Sequence, residues 1–384
     1  MKQLLRLTER PFKMNDDGVY SLVKVRRGNN GVVSRGLYEG KKVLVKSQFK
    51  VETNDFIISK RQIVHQACGI VPAELDGSIV SNEYNVFQPT DQCCIRYFDY
   101  LCYRPEMRHA FFLSCVGVHL EKMLFKTNDW LKRKFVFPCA AEQRKIADFL
   151  TAVDGRIGQL SQKKALLEDY KKGVMQQLFT QALRFKDDHG NDFPEWEEKT
   201  LGEVTKWASG GTPSKDNASF WEGDIPWMSA ATMHERYYSD SPLRITEEGV
   251  KSGSKMAQKG TLLLLVRGSM LWNRIPVGIT TRDVAFNQDV KSLSPTSEVS
   301  ADFLLQWFIA SENMLLHKVV GTGIGAGKLD TDEMKNLPLQ LPTPDEQTKI
   351  ANFLTALDRK IESVAQQITH TQAFKKGLLQ QMFV

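Results

Sequence analysis

The chain has 384 residues, 42% hydrophobic and 25% charged, with a formal net charge of +6. That length predicts roughly two or three domains with buried cores. The apolar run 262–266 is far short of the ~20 residues needed to span a bilayer, and six cysteines without a C-x-x-C pair or histidines at zinc-finger spacing point to reduced, mostly buried thiols rather than a metal site or disulfide framework.

The stretch 1–140 is basic, with 22 Lys and Arg against 14 Asp and Glu, which suits a polyanionic partner. Residues 1–13 lack an apolar core followed by a cleavage site, so no signal peptide is expected and the expected location is the cytoplasm. Residues 19–25 (VYSLVKV) and 42–45 read as strands around the turn Gly28-Asn29-Asn30-Gly31. Residues 55–59 (DFIIS) read as a buried strand, followed abruptly by Lys60, Arg61 and Gln62, with His65 close behind. Residues 97–115 show helical spacing interrupted at Pro105.

A repeated block follows. Residues 137–180 and 341–384 align at a constant offset of 204 without a gap, with 19 of 44 positions identical. Ile146, Leu150, Val153, Ile157 and Leu160 keep 4-3 spacing, and the second copy answers with Ile350, Leu354, Leu357, Ile361 and Val364. This is the heptad-like seam of a long helix, with polar Lys164 and Lys171 at two later seam positions. Such a helix needs a partner for its stripe, and the other copy is the expected one. Lys-Lys-Gly occurs in both copies (Gly173 and Gly377). A helical glycine costs ~1 kcal/mol relative to alanine, so a close approach of the helices or a partner is expected there.

The second segment, 184–340, is acidic, with 17 Lys and Arg against 22 Asp and Glu. It opens with a polar linker, 186–195, and continues through Gly210-Gly211-Thr212-Pro213-Ser214-Lys215 and Ile225-Pro226-Trp227. The apolar strand 261–266 ends in Arg267-Gly268-Ser269, with Asn273 and Arg274 beyond it. A glycine-dense loop, 319–328, ends in Lys328. The order apolar strand, polar elbow, apolar stretch is shared by 54–71 and 260–279, and Asn82 and Gln288 fall in matching later places. The two segments therefore read as diverged versions of one domain.

No catalytic constellation emerges. Gly321 to Ala326 matches G-x-G-x-x-A, but no crossover helix has room to follow it. The acidic run around Asp188, Glu197 and Glu198 sits in a polar linker, where charges are ordinarily solvated. What remains is two polar elbows after strands: Lys60, Arg61, Gln62, His65 and later Asn82 in one, and Arg267, Ser269, Asn273 and Arg274 in the other, with Thr212, Lys215 and Lys328 as further candidates. Arg and Lys pair with guanine edges and Asn or Gln with adenine; the same groups also hold phosphates or simply face water. These are the candidate DNA-binding residues.

At this point the chain resembles the specificity subunits of Type I restriction–modification systems. The carriers are Glu142-Gln143-x-Lys145-Ile146-Ala147-x-Phe149-Leu150 with Asp154, the matching Glu346-Gln347-x-Lys349-Ile350-Ala351-x-Phe353-Leu354 with Asp358, Trp196-x-x-x-x-Leu201-Gly202-Glu203, and Phe286-Asn287-Gln288-Asp289. The first segment lacks the Trp196-to-Glu203 lead-in. The resemblance implies an α+β chain with two mixed α/β target-recognition domains (1–136 and 184–340). Two helical spacers (137–183 and 341–384) would pair as an antiparallel intramolecular coiled coil with pseudo-two-fold symmetry. It implies a non-catalytic subunit that binds a bipartite double-stranded DNA site and recruits two modification methyltransferase subunits and restriction/translocase subunits, with no membrane partner. No cofactor or metal is expected on this chain; S-adenosylmethionine, ATP and Mg2+ are expected on the partners. The alternative is an orphan duplicated DNA-binding or scaffolding protein without a methyltransferase partner.

Overall fold

The computed structural model describes residues 1–323 and 325–383; Ile324 of the glycine-dense loop and Val384, the end of the second repeat copy, lie outside the described residues. The chain divides into two compact units, Met1–Ser161 with Gln366–Val384, and Gln162–Ala365. Each long helix contributes to both: Ala140–Phe179 and Pro344–Met382 cross from one unit into the other.

The first unit is built on a four-stranded antiparallel sheet in the order Leu5–Thr8, Tyr84–Pro89, Phe56–Ser59, Cys68–Ile70. Side chains alternate across a strand, and here both faces are covered. Phe56 and Ile58 enter an aromatic core with Phe98, Phe111 and Trp130, while Ile57 joins Val23, Val32, Val51 and Val86 on the other side. A second sheet orders Pro11–Lys13, Ser47–Lys50, Ile79–Val80, Val19–Val25 and Val32–Glu39. The expected strand at 42–45 is absent: Gly40–Lys42 forms a 3-10 turn, and Val19–Val25 pairs instead with Val32–Glu39. The turn between them places Gly28, Asn29 and Gly31 at positive φ, a geometry glycine and asparagine tolerate. The helical stretch splits at Pro105 as expected, into Ile95–Leu101 and Pro105–Leu113.

The second unit repeats the plan. Its main sheet runs Thr205–Ser209, Val290–Pro295, Leu262–Leu265, Val277–Thr280, with Tyr237–Tyr238 added in parallel at the edge. Adding 206 to a residue number carries Phe56–Ser59 onto Leu262–Leu265, the start of Tyr84–Pro89 onto that of Val290–Pro295, and the start of helix Ile95–Leu101 onto that of Ala301–Ala310. The weak echo in the sequence is thus a shared fold. The lead-in is specific to this unit: Glu197–Thr200 pairs with Pro338–Leu341. Trp196 donates its indole N–H to Glu346 (2.9 Å), which also accepts two bonds from Arg184 at 3.2 and 2.9 Å. Glu346 is fully buried, so this pairing supplies the partners a buried carboxylate requires.

The repeated helices are tied in alike. Gln143 accepts the Cys94 N–H (2.8 Å) and donates to the carbonyls of Gln92 (3.0 Å) and Pro138 (2.9 Å). Gln347 accepts from Ser300 (2.9 Å) and donates to Glu298 (2.9 Å) and Pro342 (2.8 Å). Further along, Asp154 meets Lys375 at 2.7 Å in the first unit, and Asp358 meets Lys171 at 2.6 Å in the second. An early residue of one helix faces a late residue of the other, so the helical segments run antiparallel within each unit.

The seam residues do more than pair helices. Ile146 and Leu150 enter the aromatic core of the first unit, together with Phe383, which follows the other helix. Ile350, Leu354, Val174 and Leu178 enter the core of the second. Val153, Leu160, Leu357 and Val364 are buried, and Ile157 and Ile361 half-buried. A close approach of the two helices to each other at the glycines is not found: a Cβ on Gly173 or Gly377 would meet no atom of another segment within 4 Å.

Candidate nucleic-acid interface

In the first unit, the buried strand Phe56–Ser59 ends at Lys60, whose backbone is pinned on both sides. Its N–H donates to the Glu83 carbonyl (2.9 Å), and its carbonyl accepts the Phe125 N–H (2.9 Å). The Lys60 ammonium bonds the Asn82 carbonyl at 2.6 Å, and Arg61 Nε bonds Glu83 at 2.8 Å. Lys60, Arg61 and Asn82 are thereby brought together. Gln62 leads into the 3-10 turn Ile63–His65, which closes on Gln66 in the left-handed region. His65 Nε2 stands 3.0 Å from Glu121, whose other oxygen accepts a bond from Arg27 at 2.9 Å.

The second unit holds its elbow the same way. Val266 N–H donates to the Asp289 carbonyl (2.9 Å), and the Val266 carbonyl accepts from Leu329 (2.9 Å). Arg267 lies on the short strand Arg267–Gly268, directly opposite Lys328. Ser269 opens the 3-10 turn Ser269–Trp272, and Asn273 follows; Arg267, Ser269, Asn273 and Lys328 are all exposed. Thr212 donates to the Gln288 side chain at 2.6 Å, which ties its loop to the segment bearing Asp289.

Two candidates are placed differently. Arg274 commits its guanidinium to the Met233 carbonyl (2.8 Å) and His234 Nδ1 (3.2 Å). Lys215 lines a recess of about 650 Å³ with Trp221, Trp227, Leu243 and Arg244.

Residues passed over in the sequence also reach these surfaces. Trp272 is 49% exposed and donates its indole N–H to the Gly325 carbonyl at 3.0 Å. Glu83 and Glu121 place carboxylates among the cations of the first elbow. No sequence signal separates an exposed tryptophan from a core one, and pairs such as His65 with Glu121 join residues far apart in the chain. Among the described residues no group of three or more His, Cys, Asp or Glu could hold a metal ion, and no helix is long and apolar enough to cross a membrane. The described cysteines are all free; burial pushes the Cys93 thiol up to about 12, away from reactive thiolate character.

Comparison with known proteins gives a family match over residues 7–169 and 194–370, to the model described as the Type I restriction modification DNA specificity domain. The chain is 27% identical over 252 residues to the Type I restriction enzyme EcoR124I/EcoR124II specificity subunit of Escherichia coli, covering 62% of this chain and 59% of that one. It is 29% identical over 194 residues to the MjaIX specificity subunit of Methanocaldococcus jannaschii, covering 49% and 44%. The chain thus spans about half the length of these curated relatives. Among solved structures, it resembles the S subunit of a Type I restriction–modification system from M. genitalium (TM-score 0.58, 15% identity, 99% of this chain and 94% of that one). It also resembles the HsdS subunit from Thermoanaerobacter tengcongensis (TM-score 0.51, 17% identity, 99% and 96%).

Proposed function

The chain belongs to the Type I restriction–modification DNA specificity family, and from that premise we propose that it is the DNA-recognition subunit of such a complex. Each unit reads one half of a bipartite double-stranded site through its elbow face. The chain performs no chemistry itself. The repeated helices dock two modification methyltransferase subunits, which bring S-adenosylmethionine, and the assembled complex carries restriction/translocase subunits that use ATP and Mg2+.

One observation carries this reading. The same pinned elbow occurs at equivalent places in two units of the same sheet order, yet its residues differ: Lys60-Arg61-Gln62 in one, Val266-Arg267-Gly268 in the other. The repeated helices keep 19 of 44 residues. Constant helices suit one kind of partner met twice, and changed elbows suit two different half-sites.

The test is to assemble the complex and map methylated adenines in exposed DNA, for the native chain and for Arg61→Ala and Arg267→Ala. Each loss of a base-reading arginine is expected to cost about 1–3 kcal/mol of discrimination. Arg61→Ala should relax one half of the motif and Arg267→Ala the other. Relaxation of neither half, or equal weakening of both, counts against the reading.

A further inference from the structure

The segment that pins the first elbow from above has an apolar surface of its own. Strands Cys115–Val116 and Leu124–Phe125 pair antiparallel. The chain around their connection exposes three aliphatic side chains: Val118 at 96%, and Val116 and Leu120 at half. Exposed apolar side chains clustered on one short segment are candidates for a contact surface when a neighbouring site is present.

The display is held in place. Phe125 is bonded to the Lys60 carbonyl (2.9 Å), and Lys126 to the Ser114 carbonyl (2.7 Å). Glu121 reaches from the connection to both His65 and Arg27. Gly117 sits at φ +144°, where a Cβ would come 3.0 Å from the Met123 Cα, so this bend requires glycine. The strand pair is therefore anchored to the elbow at its base through Lys60 and along its connection through His65 and Arg27, with exposed Lys122 and Lys126 in the same segment.

An apolar tip with two exposed lysines in its own segment, tied to the elbow through Phe125 and Glu121, fits a duplex better than a membrane core or a cationic protein face. On the edge of a base pair, the apolar feature a side chain can read is the thymine 5-methyl group. We propose that Val118, flanked by Val116 and Leu120, is a specificity-determining contact to a thymine methyl in the half-site read by the first unit. This rests on the proposed function. The corresponding segment of the second unit is glycine-rich, with Gly321, Gly323, Gly325 and Gly327.

The experiment uses the assembled complex and its mapped motif. Each thymine in either half-site is replaced singly by deoxyuridine, which removes only the methyl. Binding is expected to weaken about three- to tenfold at one or two positions of one half-site, the scale of one buried methyl contact. A complex carrying Val118→Ala should bind thymine and uracil duplexes alike at those positions, near the native complex's uracil level. The exposure of Val118 makes this substitution safe for folding. No uracil effect, a uracil effect that Val118→Ala leaves intact, or a half-site of G·C pairs alone at that end overturns the proposal. Failure of the underlying reading is separate: Arg61→Ala and Arg267→Ala would then leave the methylated motif unchanged.

Discussion

Asp99 shows how much one residue can distinguish two copies of a fold. It lies on helix Ile95–Leu101, and the 206-residue offset that matches the strands and helices of the two units carries it to Leu305, buried in the second unit. Burial raises the Asp99 carboxyl from 3.8 to about 7, with Lys375 opposing the rise and Asp154 adding to it. The next residue, Tyr100, donates to Asp154 at 2.7 Å, while Lys375 pairs with Asp154 and lies over the Tyr100 and Tyr103 rings at 5.3 and 5.5 Å. The folded state therefore keeps a proton that the unfolded chain releases above 3.8. The associated stability is present below that value and is lost as pH rises through about 7. Asp99→Asn removes this titration. The stability gained by the variant over the native chain should grow with pH across that window and then level off, as read from denaturant midpoints. A gap independent of pH would sink the idea. Arg61 is a different kind of residue: its partner Glu83 is about half exposed, so its loss should cost little stability and its effect should appear in DNA reading.

At the scale of elements, the helices carry the clearest internal check. Lys171 and Asp358 are the repeat counterparts of Lys375 and Asp154, so one ion pair is made twice. The Lys171 side chain is 11% exposed and that of Asp358 45%, which places the pair between the buried and surface limits. Asp358→Asn should destabilise the chain by about 1–2 kcal/mol, chiefly by leaving a nearly buried ammonium without its carboxylate. The exchanged pair, Lys171→Asp with Asp358→Lys, should recover part of that loss in chemical denaturation. Absence of any recovery would mean that local packing, rather than the pairing, sets the register. The heptad spacing made these helices legible, but it could not say what covers the stripe. A periodic pattern records which face leaves water; it does not record whether another helix or a domain core receives it. Hence Ile146 and Ile350 pack into domain cores, although the spacing alone suggested a plain helical seam.

For the whole molecule, the continuity of the helices gives the proposed reading a physical consequence. The two helices have 40 and 39 residues. At a rise of roughly 1.5 Å per residue, each is about 60 Å long. Readers of two half-sites on one face of a duplex are spaced by about a helical turn, roughly 34 Å. Inserting the same few residues into both helices should change the number of unread base pairs between the methylated half-sites and leave the half-sites themselves intact. An unaltered motif in such a variant would reject the helices as the spacer.

The sequence by itself determined the layout: the gapless repeat, the two helices, the buried strands 55–59 and 261–266, and the elbows that follow them were readable because apolar periodicity is a local property. It also passed over the strand Val32–Glu39 and placed one at 42–45, since short mixed-polarity stretches carry little periodic signal. Only the tertiary structure decided which polar residues stand free. Arg267 and Arg274 look alike on one elbow, yet one lies exposed opposite Lys328 and the other is bound to backbone at Met233. Likewise, Glu121 reaches His65 and Arg27 only because three distant segments fold together. A side chain's availability depends on what its donors and acceptors meet across the fold, and that is a matter of contacts far apart in the chain.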